Sequence, residues 1–66
     1  MQLTLNGEAR EVPEALNLTG LLSHLGLDPR TVVVELNREI VRRPDLGTTA
    51  LQAGDTVELV HFVGGG

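Results

Sequence analysis

The sequence predicts an α+β fold, with one mixed β-sheet and a single helix packed on one face. Three observations carry that prediction. Met1, Leu3 and Leu5 alternate with Gln2 and Thr4, the pattern of a half-buried strand, and Asn6-Gly7 follows as a hairpin signal. Leu18, Leu21, Leu22 and Leu25 fall at i, i+3, i+4 and i+7, one stripe along a helix. Thr56 to Val63 is the most strand-like segment of the chain. A single striped helix can cover one face of one sheet, which leaves the other face open.

In chain order, the first strand enters the Asn6-Gly7 turn and a second strand is expected over about Glu8 to Val12. Val12 takes the core side there. Glu8 and Arg10 share that side, and such charge suits an edge strand because it discourages pairing with another chain. Pro13 ends the strand. The helix is expected from about Leu18 to Leu25, with Asn17 as N-cap and Gly26 just past the C-terminus. Asp28-Pro29 blocks any extension. Gly20 costs this short helix about 1 kcal/mol relative to alanine, so docking on the sheet must hold it. Leu21, Leu22 and Leu25 are expected against Leu3, Leu5, Val34, Val57 and Leu59. Thr31 to Leu36 reads as a strand, Asn37-Arg38-Glu39 as a turn and Ile40-Val41 as a short strand. Pro44 to Gly47 reads as a loop and Ala53-Gly54-Asp55 as a turn into the last strand. The first and last strands are expected to lie side by side and parallel at the sheet centre.

Composition narrows the function. The 66 residues suffice for one small domain, in which a deep enzyme cleft is hard to build. There is no cysteine, so disulfides, thiolate metal sites and cysteine nucleophiles are all excluded. That fits a reducing cytosol, and a cytoplasmic location is expected. The net charge is −4, lysine is absent and Phe62 is the single aromatic residue. Nucleic-acid binding needs a basic patch and often stacking rings, so no nucleic-acid partner is expected. No apolar run is long enough to span a bilayer, and the opening residues have no basic leader, so neither a membrane partner nor a signal peptide is expected.

The chemistry-bearing feature is the ending, Val63-Gly64-Gly65-Gly66. Three glycines after a strong strand gain nothing from packing. The expected organisation is a domain over residues 1–63 and a flexible glycine tail over 64–66, slim enough for a narrow channel in a partner. Such a tail reaches roughly 10 Å at about 3.3 Å per residue. A terminal carboxylate is ionised at neutral pH and is a poor electrophile, so it must be activated as an acyl donor before sulfur or an amine can attack it. No glycine loop leads into a helix in the way phosphate binding requires, so activation with ATP falls to a partner and no bound cofactor is expected. Read alone, the glycines are equally well a frayed end or a cloning remnant.

The order and spacing of several short segments resolve that choice. They are Leu18-Thr19-Gly20-Leu21-Leu22 leading to Leu25-Gly26-Leu27, then Val34-Glu35-Leu36-Asn37, Glu39-Ile40-Val41 with Arg43, and Leu51 to Val60, closed by Val63 to Gly66. Together they resemble the ubiquitin-like β-grasp sulfur carriers, most closely the thiamine-biosynthesis, thiazole-forming branch, over essentially the whole chain. The resemblance implies a protein co-substrate with no catalytic residues of its own. An adenylating enzyme of the ubiquitin-activating type would convert the Gly66 carboxylate to an acyl-adenylate. A sulfur-donor enzyme would turn it into a thiocarboxylate, and thiazole synthase would take the sulfur. Gly65 and Gly66 match the family's diglycine, and Gly64 and Gly65 would thread into the partner. Two positions depart from the family pattern. Arg38 stands where glycine is frequent, and Arg42 where proline is.

Three other readings stay open. The carrier could serve molybdopterin synthesis or tRNA thiolation, it could be a protein modifier that forms an isopeptide bond, or it could be an interaction module with an inert tail. Alternation along the last strand puts Glu58, Val60 and Phe62 on the face away from the helix, so Val60 and Phe62, with Val33, are the expected partner-binding surface. Phe62 folded over a strand end is the competing account. His24 and His61, without a carboxylate at a ligating spacing, read as a solvated helix histidine and a sheet-edge histidine, and no metal site is expected. Glu35, Glu39, Arg42 and Arg43 read as a solvated charged surface that could steer partner choice.

Overall fold

A computed structural model describes residues 1–62; Val63 to Gly66, and with them the predicted end of the last strand and the whole tail, lie outside the described residues. The strands are β1 (Gln2–Leu5), β2 (Glu8–Glu11), β3 (Val32–Leu36), β4 (Glu39–Val41) and β5 (Thr56–His61), and the helix is α1 (Leu18–His24). Their order in the sheet is β2-β1-β5-β3-β4. The first and last strands pair in parallel at the centre, Thr4 beside Thr56 and Leu5 beside Val57, as expected. All other neighbouring strands run antiparallel.

Two tight hairpins set the register of the outer strands. Leu5 lies opposite Glu8 and Leu36 opposite Glu39, so each loop has two residues. Asn6-Gly7 (φ 49° and 83°) and Asn37-Arg38 (φ 50° and 72°) are both left-handed throughout, the backbone that matches the twist of paired strands. Glu39 therefore belongs to β4 and not to the turn. Both asparagines also brace the central strand. Asn6 Oδ1 accepts from the Leu59 N–H at 2.7 Å, and Asn37 Oδ1 accepts from the Thr56 N–H at 3.0 Å. The Asn6 bond matters because β1 ends at Leu5 and no strand lies beside that flank of β5 beyond Val57.

Helix α1 is closed at both ends as its sequence predicts. Asn17 is extended and accepts from the Gly20 N–H at 2.7 Å. At the other end the Gly26 N–H donates to the Ser23 carbonyl and the Leu27 N–H to the Leu22 carbonyl, with Gly26 at φ 73°. This pair of bonds is the Schellman arrangement, and it makes Leu25 the cap residue. The glycine at position 20 has a local cause. A Cβ there would sit 3.1 Å from Leu16 Cδ2 and 3.3 Å from the capping Asn17 Oδ1, so the alanine preferred by helix propensity alone would crowd the cap.

The core is the predicted one with additions. Leu18, Leu21 and Leu22 are 0% exposed and pack with Leu3, Leu5, Val34, Val57 and Leu59, while Leu25 is half-buried at the margin. Val12 is buried although it lies just past the end of β2, and its N–H donates to the Met1 carbonyl. The segment read as a loop at 44–47 is a 3₁₀ turn, Arg43–Thr48, that brings Leu46 into the core. Leu46 and Leu51 have no periodic neighbours to mark them in sequence. They are placed by bonds to the start of the helix, where the Leu18 N–H donates to the Thr49 carbonyl and the Leu51 N–H to the Leu16 carbonyl. A second 3₁₀ turn, Pro29–Thr31, occupies the predicted first residue of the third strand, so β3 begins at Val32. The Met1 ammonium bridges Glu14 at 2.6 Å and Glu11 at 3.1 Å, which raises its pKa, the Glu14 bond most of all.

Candidate functional site

Register decides which side chains share the uncovered face. Val57 and Leu59 point to the helix, so Glu58, Val60 and Phe62 point away. Val33 lies opposite Val60, Glu35 opposite Glu58, and Ile40 opposite Glu35 on the next strand. The face toward β3 and β4 therefore carries two rows, Glu58-Glu35-Ile40 and Val60-Val33, with Phe62 beyond them. The three exposed large hydrophobic residues among those described are Phe62 (59%), Val60 (57%) and Ile40 (64%), and all lie here. Monomeric domains rarely leave such side chains together without a binding role.

The expected Val60/Phe62 surface is thus exposed, and Phe62 does not fold into the core. Its N–H donates to the Thr31 carbonyl at 3.0 Å, which ties Phe62 to the turn that leads into β3. Ile40 was not singled out in the sequence. It sits in a three-residue strand too short to show a period, and pairing with Glu35 places it on this face. A shallow groove of about 800 Å³ runs along the same end of the sheet, lined by Val33, Ile40, Arg42, Arg43, Pro44 and Phe62 among others. Arg42 and Arg43 place two guanidinium groups beside this apolar groove.

Of the remaining candidates, Glu35, Arg42 and Arg43 share this end of the sheet, the two histidines stay apart from it, and the terminal glycines lie outside the described residues. Gly64, Gly65 and Gly66 are outside the described residues. His24 is exposed at the end of α1. His61 is exposed on central β5 and not on an edge strand, although that end of β5 lacks a neighbour on its β1 flank. Among the described residues no group of three or more histidine and carboxylate side chains is placed to hold a metal. Among the described residues no helix is long and apolar enough to cross a membrane. Arg38, Arg42 and Arg43 are exposed, as are Glu39 and Glu58, and Glu35 is half-buried.

Comparison with known proteins adds what the described geometry does not reach. The ThiS family model matches residues 3–66, almost the whole chain including the terminal glycines. The chain belongs to the ThiS family. The sulfur carrier protein ThiS of Bacillus subtilis is 35% identical over 65 residues, covering 97% of this chain and 98% of that protein. A thiazole synthase of Magnetococcus marinus is 44% identical over 66 residues, all of this chain, which spans 20% of that protein's length. The crystal structure of the thiamine biosynthesis protein ThiS from Geobacter metallireducens superimposes with a TM-score of 0.87 at 43% identity, over all of both chains. The ThiS fold, a mixed sheet with one helix, is the β-grasp that the sequence resembles.

Proposed function

We propose that this chain is a sulfur carrier of thiamine biosynthesis whose reacting group is the Gly66 carboxylate. The observation that carries the reading is the family match running through Gly66, joined to full-length likeness to the Bacillus sulfur carrier. In this reading a carboxylate oxygen of Gly66 attacks the α-phosphorus of ATP in the active site of an adenylating enzyme and expels pyrophosphate. Sulfur at the sulfide level, delivered by a sulfur-donor enzyme, then attacks the acyl carbon and expels AMP. The product is a thiocarboxylate, which thiazole synthase consumes. The occurrence of this domain's likeness within thiazole synthases supports that last partner.

The chain acts as a co-substrate in the cytoplasm and binds no cofactor itself. Gly64 and Gly65 supply reach without side chains, so the terminal carbonyl can pass a narrow channel. Val60 and Phe62 seat the folded domain beside that channel. The domain thus holds the reacting carbon at a set distance from its docking face, and effective reaction demands an approach within about 3–3.5 Å.

Deletion of Gly65 and Gly66 tests this. ATP–pyrophosphate exchange with the adenylating enzyme should be abolished, as should the mass change from replacing one oxygen by sulfur. The melting temperature should stay unchanged. One residue appended after Gly66 should be as damaging as the deletion. Full exchange in the truncated chain would overturn the carrier reading. Reconstitution with thiazole synthase distinguishes the thiamine pathway from other uses of a thiocarboxylate.

A further inference from the structure

Within the open face one pairing runs against sheet energetics. Glu35 and Glu58 lie directly opposite one another on β3 and β5, with side chains on the same side of the sheet. Like charges at this position repel, whereas opposite charges or β-branched pairs stabilise a sheet. The rest of the molecule offers them no relief. The ion pairs among the described residues are Met1 with Glu11 and Glu14, and Asp28 with Arg30, and neither Glu35 nor Glu58 takes part in one. Arg42, just past the end of β4, forms an ion pair with neither. The two carboxylates are flanked by apolar side chains, Ile40 beyond Glu35 on β4 and the Val33–Val60 pair in the adjoining row.

We propose that this face docks a protein surface that is apolar and carries one basic side chain, an arginine or lysine, seated between Glu35 and Glu58. The partner is the adenylating enzyme, and the inference rests on the carrier reading above. Charge complementarity selects the occupant. An apolar patch alone would accept many partners, including a second copy of this chain. A second copy would bring its own Glu35–Glu58 pair and its own net negative charge to the contact. A cation from the partner would remove the repulsion between the carboxylates and form charge-assisted bonds in a contact from which Val33, Val60, Ile40 and Phe62 exclude water. Position supports the same choice, because the tail leaves the domain just past Phe62, so an enzyme that takes the tail already lies over this end of the sheet.

The test compares two double variants with the same change in charge. Glu35→Gln/Glu58→Gln neutralises the pair, and Glu8→Gln/Glu11→Gln neutralises two exposed carboxylates on β2, the edge strand at the far side of the sheet. Binding of each full chain to the purified adenylating enzyme is measured at low and high salt, alongside the melting temperature of the free chain. The proposal expects Glu35→Gln/Glu58→Gln to bind roughly tenfold more weakly at low salt, mainly through slower association, with a smaller salt dependence. Its free chain should melt no lower than the wild type. The Glu8→Gln/Glu11→Gln chain should stay within about twofold of wild-type affinity. Equal losses in both variants, no loss in either, or a lowered melting temperature for Glu35→Gln/Glu58→Gln would each overturn the proposal. Where wild-type adenylation persists, such results leave the carrier reading standing. Failure of the wild-type chain to be adenylated overturns both.

Discussion

The two faces of this sheet are built from alternating residues of the same strands and yet answer to different demands. On β5, Val57 and Leu59 meet the leucine stripe of α1 and are buried, while Glu58 and Val60 between them are exposed. On β3, Val32 and Val34 are buried and Val33 and Glu35 are half-exposed. The covered face is apolar across its centre and holds the fold. The uncovered face keeps apolar side chains that contribute little to folding, together with a pair of carboxylates that opposes it. What one face gains in stability the other forgoes, and a surface kept at that disadvantage is suited to a partner.

The strongest way to break the comparison is to truncate one residue on each side. Leu22→Ala on the covered face should cost about 2–5 kcal/mol, since a fully buried leucine leaves a cavity. That is a large share of the stability of so small a domain, so urea titration should show a population of unfolded chain without denaturant. Phe62→Ala should change unfolding stability by less than about 0.5 kcal/mol. It should weaken binding to the adenylating enzyme by about 2 kcal/mol, measured by titration calorimetry. If Phe62→Ala melts like Leu22→Ala, the two faces are not functionally distinct.

Two smaller changes sharpen the contrast by touching neither face. Arg38 occupies a left-handed turn position (φ 72°) where its counterpart in the first hairpin is Gly7 (φ 83°). Removing the Cβ relieves the left-handed strain and adds freedom to the unfolded chain, so Arg38→Gly should stabilise by a net of about 0.5–1 kcal/mol. Thermal melts should record the gain, and sulfur loading should be unchanged. The smallest effect concerns Asp28, whose side chain caps the Pro29–Thr31 turn and pairs with Arg30 at 2.8 Å. Hydrogen bonds from the Arg30 side chain and then its backbone N–H lower the Asp28 pKa to about 2. The folded-state value is depressed, so the associated stability is present above the ordinary carboxylate pKa and is lost as pH falls toward about 2. Asp28→Asn should flatten that part of the acid stability profile slightly, the group being exposed.

Much of this protein is legible in its sequence because the signals are local. Alternation at Met1 to Leu5, the turn at Asn6-Gly7, the leucine stripe with its Asn17 cap and Gly26 stop, and the β-branched run into Leu36 each specify an element within a few residues. The terminal glycines and the family resemblance supply the chemistry, and parity along β5 was enough to expose Val60 and Phe62. Tertiary structure alone decided the rest. Leu46 and Leu51 join the core because a non-periodic segment is bonded to the start of the helix. Asn6 and Asn37 brace β5 from residues 53 and 19 positions away in the chain. Ile40 turns outward, and Glu35 meets Glu58, only once strand order and register are set. The physical reason is one of range. Backbone propensity and side-chain period act between neighbours along the chain, whereas cross-strand pairing depends on which strands become adjacent, and closure of the whole sheet determines that.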